Sequence, residues 1–421
     1  MREALRLSVR GFAAYLGVNE RTVTKWEAGG AAVHPRPELQ AALDTALQRA
    51  SGEAVARFES AAPAAPGGAG LPVLGRGVAP RDVDDARSVD EAISVAALES
   101  IELLAWAEME NVGELTLEQL HSEVRRISHA YLKVPTGPLF LRTRELRDRA
   151  FTLLAGQQRP SRARDLYAAA GWSLTMLAWM SVDLGRPDAA EDHARAAWLC
   201  AERAEHDGLR AWVRATQRTA AFWQGDFERA AQHAADGLRY ATGSAALWLA
   251  SGHATDLARS GQEELAWEAL RRAQRLAETA GQSGDELAGP FTCGLDRATG
   301  MWSDAQLALG AAGPALDFAD RAVAAFEAQQ PERRNHGSER VVRVQQVRAH
   351  LALGQLDGAE EALWPVLETA PEHRMRPLLI RMNDVYAAAG APAHRHEPTA
   401  TRIREAATAF QREAATNELP E

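Results

Sequence analysis

The sequence predicts an all-α protein in two unequal parts: a short helix-turn-helix head joined by a linker to a long solenoid-like body of paired helices. Three observations carry that prediction. Apolar residues recur at helical spacing along most of the 421 residues, while the apolar/polar alternation of strands is nearly absent. A Pro/Gly/Ala-rich stretch interrupts the pattern after residue 59, and beyond it a glycine followed by small residues at fixed offsets recurs five times.

Composition bounds the possibilities. At 46% hydrophobic and 25% charged residues the chain has the balance of an ordinary globular protein, and its length suits two to four folding units. Cys200 and Cys293 lack any CxxC spacing, so neither a disulfide framework nor a zinc ribbon is indicated, and a reducing cytoplasm fits. No run of about 18 uncharged apolar residues exists, and Met1 is followed by Arg2 and Glu3 instead of a signal-peptide core, which argues against membrane insertion and secretion. The net charge of −10 speaks against a nucleic-acid coat. Division of the charge alters that reading. Residues 1–60 carry eight basic and seven acidic side chains, so the acidity belongs to the body and leaves the head free to approach an anion.

In the head, Ser8 suits the N-cap of a helix from Val9 to Leu16, with Phe12, Ala13 and Leu16 inward. Gly17 ends that helix. Asn19 suits the cap of a second helix from Glu20 to about Ala28, with Val23 and Trp26 inward, so two short helices meet at a glycine turn. A further helix follows Pro35 and Pro37, with Leu39, Ala42, Leu43, Ala46 and Leu47 at helical spacing. The stretch Ser60 to Gly77, SAAPAAPGGAGLPVLGRG, then reads as a tether and passes into the acidic Asp82, Asp84 and Asp85. The expected domains are therefore a head over 1–59, a linker over 60–87 and a helical body over 88–420.

The segment Leu7 to Gly29, LSVRGFAAYLGVNERTVTKWEAG, resembles the helix-turn-helix of phage-repressor-like (XRE, Cro/C1-type) transcription factors. The leucine-serine entry, Ala13, Leu16-Gly17-Val18, Thr22-Val23 and the Trp26-Glu27 close fall in register. The resemblance implies base reading by Glu20 and Arg21, with Thr24 and Lys25 one turn later and Thr22 at the DNA backbone. Residue chemistry suits those roles, because Arg21 can bind guanine bidentately and Glu20 can accept from cytosine N4, while Lys25 suits phosphate. Val9 stands where the family commonly has a phosphate-binding glutamine, so backbone anchoring falls to Arg10. The family's first-helix arginine, which pairs with the glutamate of the Trp-Glu close, corresponds to Arg2, leaving most of that helix before Met1.

In the body the turn glycines are Gly185, Gly225, Gly261, Gly310 and Gly354, separated by 40, 36, 49 and 44 residues. Five residues on stand Ala190, Ala230, Ala266, Ala315 and Ala359; nine on, Ala194, Ala234, Leu270, Ala319 and Leu363; twelve on, Ala197, Gly237, Ala273, Ala322 and Val366. Five helix-turn-helix units follow, each with a permissive turn and a small-residue face on its second helix. This spacing resembles tetratricopeptide repeats, over roughly Asp165 to Ala370, with repeat-like helices extending to about Glu123 and Gly390. A generic Ala-rich bundle is the other reading of the same pattern.

The repeat resemblance implies a concave groove lined by the first helix of each pair. Trp172, Trp212 and Trp248 stand thirteen residues before turn glycines, and with Trp179 and Trp223 they would face that groove, beside Arg259, Arg297 and Arg348 for an anionic group. Interhelical packing is the alternative role for each tryptophan. His394 and His396 lie in a loop-like APAHRHEP with no third ligand near, and no phosphate loop, GxSxG elbow, HExxH or Cys-His nucleophile signature occurs. No metal, cofactor or catalytic activity is expected. The whole arrangement resembles actinobacterial regulators with an XRE-type head and a tetratricopeptide-like sensor body. It implies a cytoplasmic, dimeric, DNA-binding transcriptional regulator that senses a peptide, small molecule or protein partner. The alternative is a tetratricopeptide scaffold or interaction adaptor with a vestigial head.

Overall fold

The computed structural model describes residues 2, 5–29, 43, 100, 111–131, 133–278, 285–330 and 334–414. The chain divides into two compact units, Met1–Ala97 and Leu98–Glu421. The linker expected over 60–87 and all of the helix expected after Pro37 except Leu43 lie outside the described residues.

In the first unit, α1 (Val9–Leu16) starts where the Ser8 hydroxyl accepts from the Gly11 amide at 3.0 Å. It stops at Gly17, whose φ of +68° turns the chain away. The Asn19 side chain accepts from the Arg21 amide at 2.9 Å as α2 (Glu20–Gly29) begins. Phe12, Ala13 and Val23 are buried between the helices, and Leu5, Leu7, Val9, Leu16, Val18 and Leu43 pack around them. Trp26 is half-buried. Arg2 reaches Glu27 at 2.5 Å and also donates to the Leu7 carbonyl, tying the segment before α1 to the end of α2.

The second unit is a succession of helix pairs with no strand among the described residues. The pairs are α3 (Glu114–Ala130) with α4 (Thr136–Leu154), α5 (Pro160–Asp183) with α6 (Pro187–Ala204), and α7 (Asp207–Trp223) with α8 (Phe227–Gly237). They continue with α9 (Gly243–Arg259) and α10 (Glu263–Ala277), α11 (Leu295–Ala308) and α12 (Ala312–Glu327), α13 (His336–Ala352) and α14 (Leu356–Leu367), and α15 (Arg376–Ala389) and α16 (Pro398–Ala414). The body is thus tetratricopeptide-like, and its pairs run past the expected limits, from Glu114 to Ala414.

Five of the pairs turn on the five spaced glycines, whose φ values lie between +71° and +81°. A left-handed residue at that position lets the second helix reverse onto the first without a Cβ penalty. The alanines five residues on are at most 1% exposed, and the residues nine and twelve on are also buried. Those small side chains form the seam on which each second helix lies against its partner. The first helices pack in a continuous inner layer, α5 on α7, α7 on α9, α9 on α11, α11 on α13 and α13 on α15. The layer curls far enough that α15 touches α5, with the Arg376 side chain against Gly185. At Gly300 a Cβ would stand 2.3 Å from Val342 Cγ2, so α11 and α13 approach this closely only over a glycine.

Candidate functional site

The curl of the inner layer forms a half-open cavity of about 140 Å³. Its wall takes Trp179 and Asp183 from α5, Arg218, Phe222 and Trp223 from α7, Trp248 and Thr255 from α9, Arg297, Met301 and Asp304 from α11, Val341, Val342 and Gln345 from α13, and Arg381 from α15. Aromatic and aliphatic surface with a few charged groups is the composition of a small-ligand or side-chain pocket.

Ion pairs between successive inner helices hold this wall. Arg218 grips Asp256 with two bonds, Nη2 to Oδ1 at 2.6 Å and Nε to Oδ2 at 2.8 Å, joining α7 to α9. Asp304 accepts from Arg259 at 2.6 Å, from Arg348 at 3.1 Å and from Arg381, joining α9, α11, α13 and α15 at one carboxylate. Asp384 takes a further bond from Arg381 at 3.0 Å. Burial alone would raise the Asp304 carboxyl, but the three guanidiniums overcome it and hold the group well below the carboxylate range. Asp256 has only Arg218 as a close bidentate partner; burial pushes it up to about 6.

Asp183 differs again. It accepts from the Tyr131 hydroxyl, joining α3 to α5, and burial pushes its carboxyl up to about 7 against the lowering effects of that bond and of Arg297. Arg297 is 7% exposed and, among the described residues, has no carboxylate within ion-pair distance. It donates to the Pro290 and Thr292 carbonyls and lies 4.1 Å from the centre of the Trp248 ring. Its Nε, the Arg381 Nε and the Trp248 Nε1 are buried without a hydrogen-bond partner. A pocket wall with a buried cation, donors to spare and a carboxyl poised near neutrality suits an anionic or acceptor-rich group.

The residues singled out in the sequence fall in distinct places. Trp179, Trp223 and Trp248 line the cavity together with Arg297. Arg259 and Arg348 spend their guanidiniums on Asp304. Trp172 and Trp212 face inward but meet the chain's own Phe291, at 5.8 and 5.6 Å between ring centres. In the head, Arg10, Glu20, Arg21, Thr24 and Lys25 are exposed and Thr22 half-buried. Arg10 stands 3.8 Å from Glu20, and the Thr24 hydroxyl donates to the Glu20 carbonyl at 3.0 Å.

Sequence reasoning passed over Arg218, Asp183, Asp304, Arg381 and Phe291. One signal pointed to the last: the 49-residue spacing from Gly261 to Gly310 is the longest of the series and contains the inserted stretch that carries Phe291. The buried charges left no such mark, because an Arg or Asp on a helix reads as solvated until its partner helix is known.

No protein-family model and no curated protein matches the chain. Among solved structures it is similar to a Rap protein whose crystal structure is a complex with competence and sporulation factor. The two share 15% identity and a TM-score of 0.48, over 78% of this chain and 94% of that one. Among the described residues no helix is long and apolar enough to cross a membrane.

Proposed function

We propose that this chain is a non-catalytic regulator whose helical body binds a peptide or small anionic effector in its concave pocket and whose head contacts double-stranded DNA. The observation that carries the reading is the cavity itself. Six successive inner helices each contribute wall residues, and a buried arginine with no carboxylate partner lies beside aromatic surface. Ligand contacts made by every inner helix would change the curl of the layer, which couples occupancy to the shape of the body. The head offers Arg10, Arg21, Thr24 and Lys25 to solvent above a small core of Phe12, Ala13 and Val23. One short reading helix spans few base pairs, so a homodimer on paired half-sites is part of the reading, as is a cytoplasmic location.

A second reading, a scaffold or adaptor that recruits a protein partner, is favoured by one feature. Glu20 lies beside Arg10 on the face that would meet DNA and reduces its positive charge.

Two measurements separate the readings. Salt titration of binding to genomic DNA fragments should give selective, salt-sensitive retention, and Arg21→Ala should weaken it by about 1–3 kcal/mol. A thermal-shift screen of metabolites and short peptides should find a compound that raises the melting temperature of wild type and fails with Arg297→Met. Absence of DNA retention at low salt would leave the adaptor reading; absence of any Arg297-dependent ligand would remove the effector.

A further inference from the structure

Connectors between helices ordinarily run over the surface, where water satisfies their backbone groups. Residues 285–294, which precede α11, instead lie against the inner face of the body. Phe291 is fully buried, its ring centre 5.6–5.8 Å from those of Trp172, Trp179 and Trp212, each approached at a steep interplanar angle. Glu286 accepts from the Trp172 indole at 2.9 Å and pairs with His206 Nε2 at 3.2 Å. The main chain from Ala288 to Cys293 is read as well. The Ala288 amide donates to the Ser128 hydroxyl at 3.3 Å, the Cys293 amide to the Ser244 hydroxyl at 3.1 Å, and Arg297 donates to the Pro290 and Thr292 carbonyls. At Gly289, with φ of +64°, a Cβ would stand 2.4 Å from the Ser128 carbonyl oxygen, so the backbone itself is pressed against α3.

This is the contact pattern of a bound peptide. Side chains of α3, α5, α9 and α11, with His206 at the start of α7, satisfy the segment's backbone and its two anchors, one acidic and one aromatic five residues later. Glu286 is half-exposed and could be solvated, yet it is held by two donors, and five elements supply partners to these few residues. We infer that this part of the concave face is a peptide-binding site for a segment with an acidic residue five positions before an aromatic one. Its own Glu286 and Phe291 occupy it in cis, and a peptide of the same chemistry takes the seat in trans when they are removed. The inference rests on the concave-face reading above and assigns that face its ligand class. Pro290 and Arg297 also belong to the cavity wall, so exchange of the segment opens the cavity toward the aromatic box.

The test uses the full chain carrying Glu286→Gln and Phe291→Ala, and a fluorescein-labelled synthetic peptide with the sequence of residues 285–294 and Ser in place of Cys293. A tethered occupant competes at an effective concentration on the order of millimolar, so wild type should bind the peptide at least about tenfold more weakly than the double variant by fluorescence anisotropy. A peptide with Ala in place of Phe291 should lose at least tenfold against the double variant. A double variant that melts cooperatively yet binds the peptide no better than wild type overturns the inference. If the double variant does not fold, Glu286→Gln alone serves, with a threefold or greater gain over wild type expected and equal affinity overturning it. Failure of the peptide, with an Arg297-dependent effector still raising the melting temperature, sinks this inference and leaves the proposed function standing; failure of both sinks both.

Discussion

The two ends of the inner layer solve the same packing problem with opposite chemistry. At one end Trp172 and Trp179 of α5 and Trp212 of α7 close on Phe291. At the other, α9, α11, α13 and α15 converge on the carboxylate of Asp304 through three arginines, with Asp384 beside it. The aromatic end is stabilised by burial and ring contacts, each pair contributing about 0.5–1.5 kcal/mol beyond its area. The charged end is neutral or weakly favourable as a whole, because desolvation offsets the attraction, yet it is severe in its demand for completeness. The cavity takes Trp179 from the aromatic end and Asp304 and Arg381 from the charged one, with Trp248 of α9 against Trp179.

The largest effect should come from breaking the charged end. Asp304→Ala removes the nearest carboxylate of Arg259, Arg348 and Arg381 at once and leaves all three to share Asp384, and it should cost about 4–5 kcal/mol or prevent folding, measured by urea denaturation. Stability close to wild type would mean that the arginines find water, and the end would then be an exposed network. Phe291→Ala empties the aromatic box and should cost about 3–4 kcal/mol, mostly as cavity and lost transfer energy. A cost below about 1 kcal/mol would show the segment to be loosely seated. Gly289→Ala leaves both anchors intact but pushes the backbone off the Ser128 carbonyl, for which about 2 kcal/mol is expected in the same titration.

A pH series probes the junction of the two ends. Asp183, pushed up to about 7 by burial, keeps its proton in the folded protein where the unfolded carboxyl, near 3.8, has lost it. A raised folded value contributes stability that is full below 3.8 and is lost as pH rises through about 7. Wild type should therefore fall in melting temperature relative to Asp183→Asn between pH 5 and pH 8, whereas a constant difference would mean that the carboxylate is ionised throughout. The smallest effect belongs to the outer face. Trp364, 65% exposed on α14, should tolerate Ala at about 0.5 kcal/mol, in contrast to every inner tryptophan.

Part of this was legible in the residues. Ser8, Gly17 and Asn19 mark the ends of α1 and α2 because caps and left-handed turns are local preferences, and the structure puts each at that position. The five turn glycines and their small followers mark five helix pairs for the same reason, since a spacing of five, nine and twelve is read within one hairpin. For the first and last pairs the residues mark only repeat-like helices to about Glu123 and Gly390, short of the observed Glu114 and Ala414, as neither pair turns on a glycine of that series. At the site, nothing in the spacing of the residues thirteen before a glycine distinguished Trp172 and Trp212, which meet Phe291, from Trp248, which lines the cavity. Arg259 and Arg348 could not be told from free cations until α11 brought Asp304 between them.

By itself, then, the sequence determined where helices start, reverse and pair, because those choices depend on backbone preference and side-chain volume within about forty residues. Tertiary structure decided what the inner face presents. Glu286 meets Trp172 across 114 residues and Arg381 meets Asp304 across 77, and only the curl of the layer brings such partners together. Whether a buried arginine is satisfied or spare, and whether an indole faces a cavity or a phenyl ring, follows from that curl.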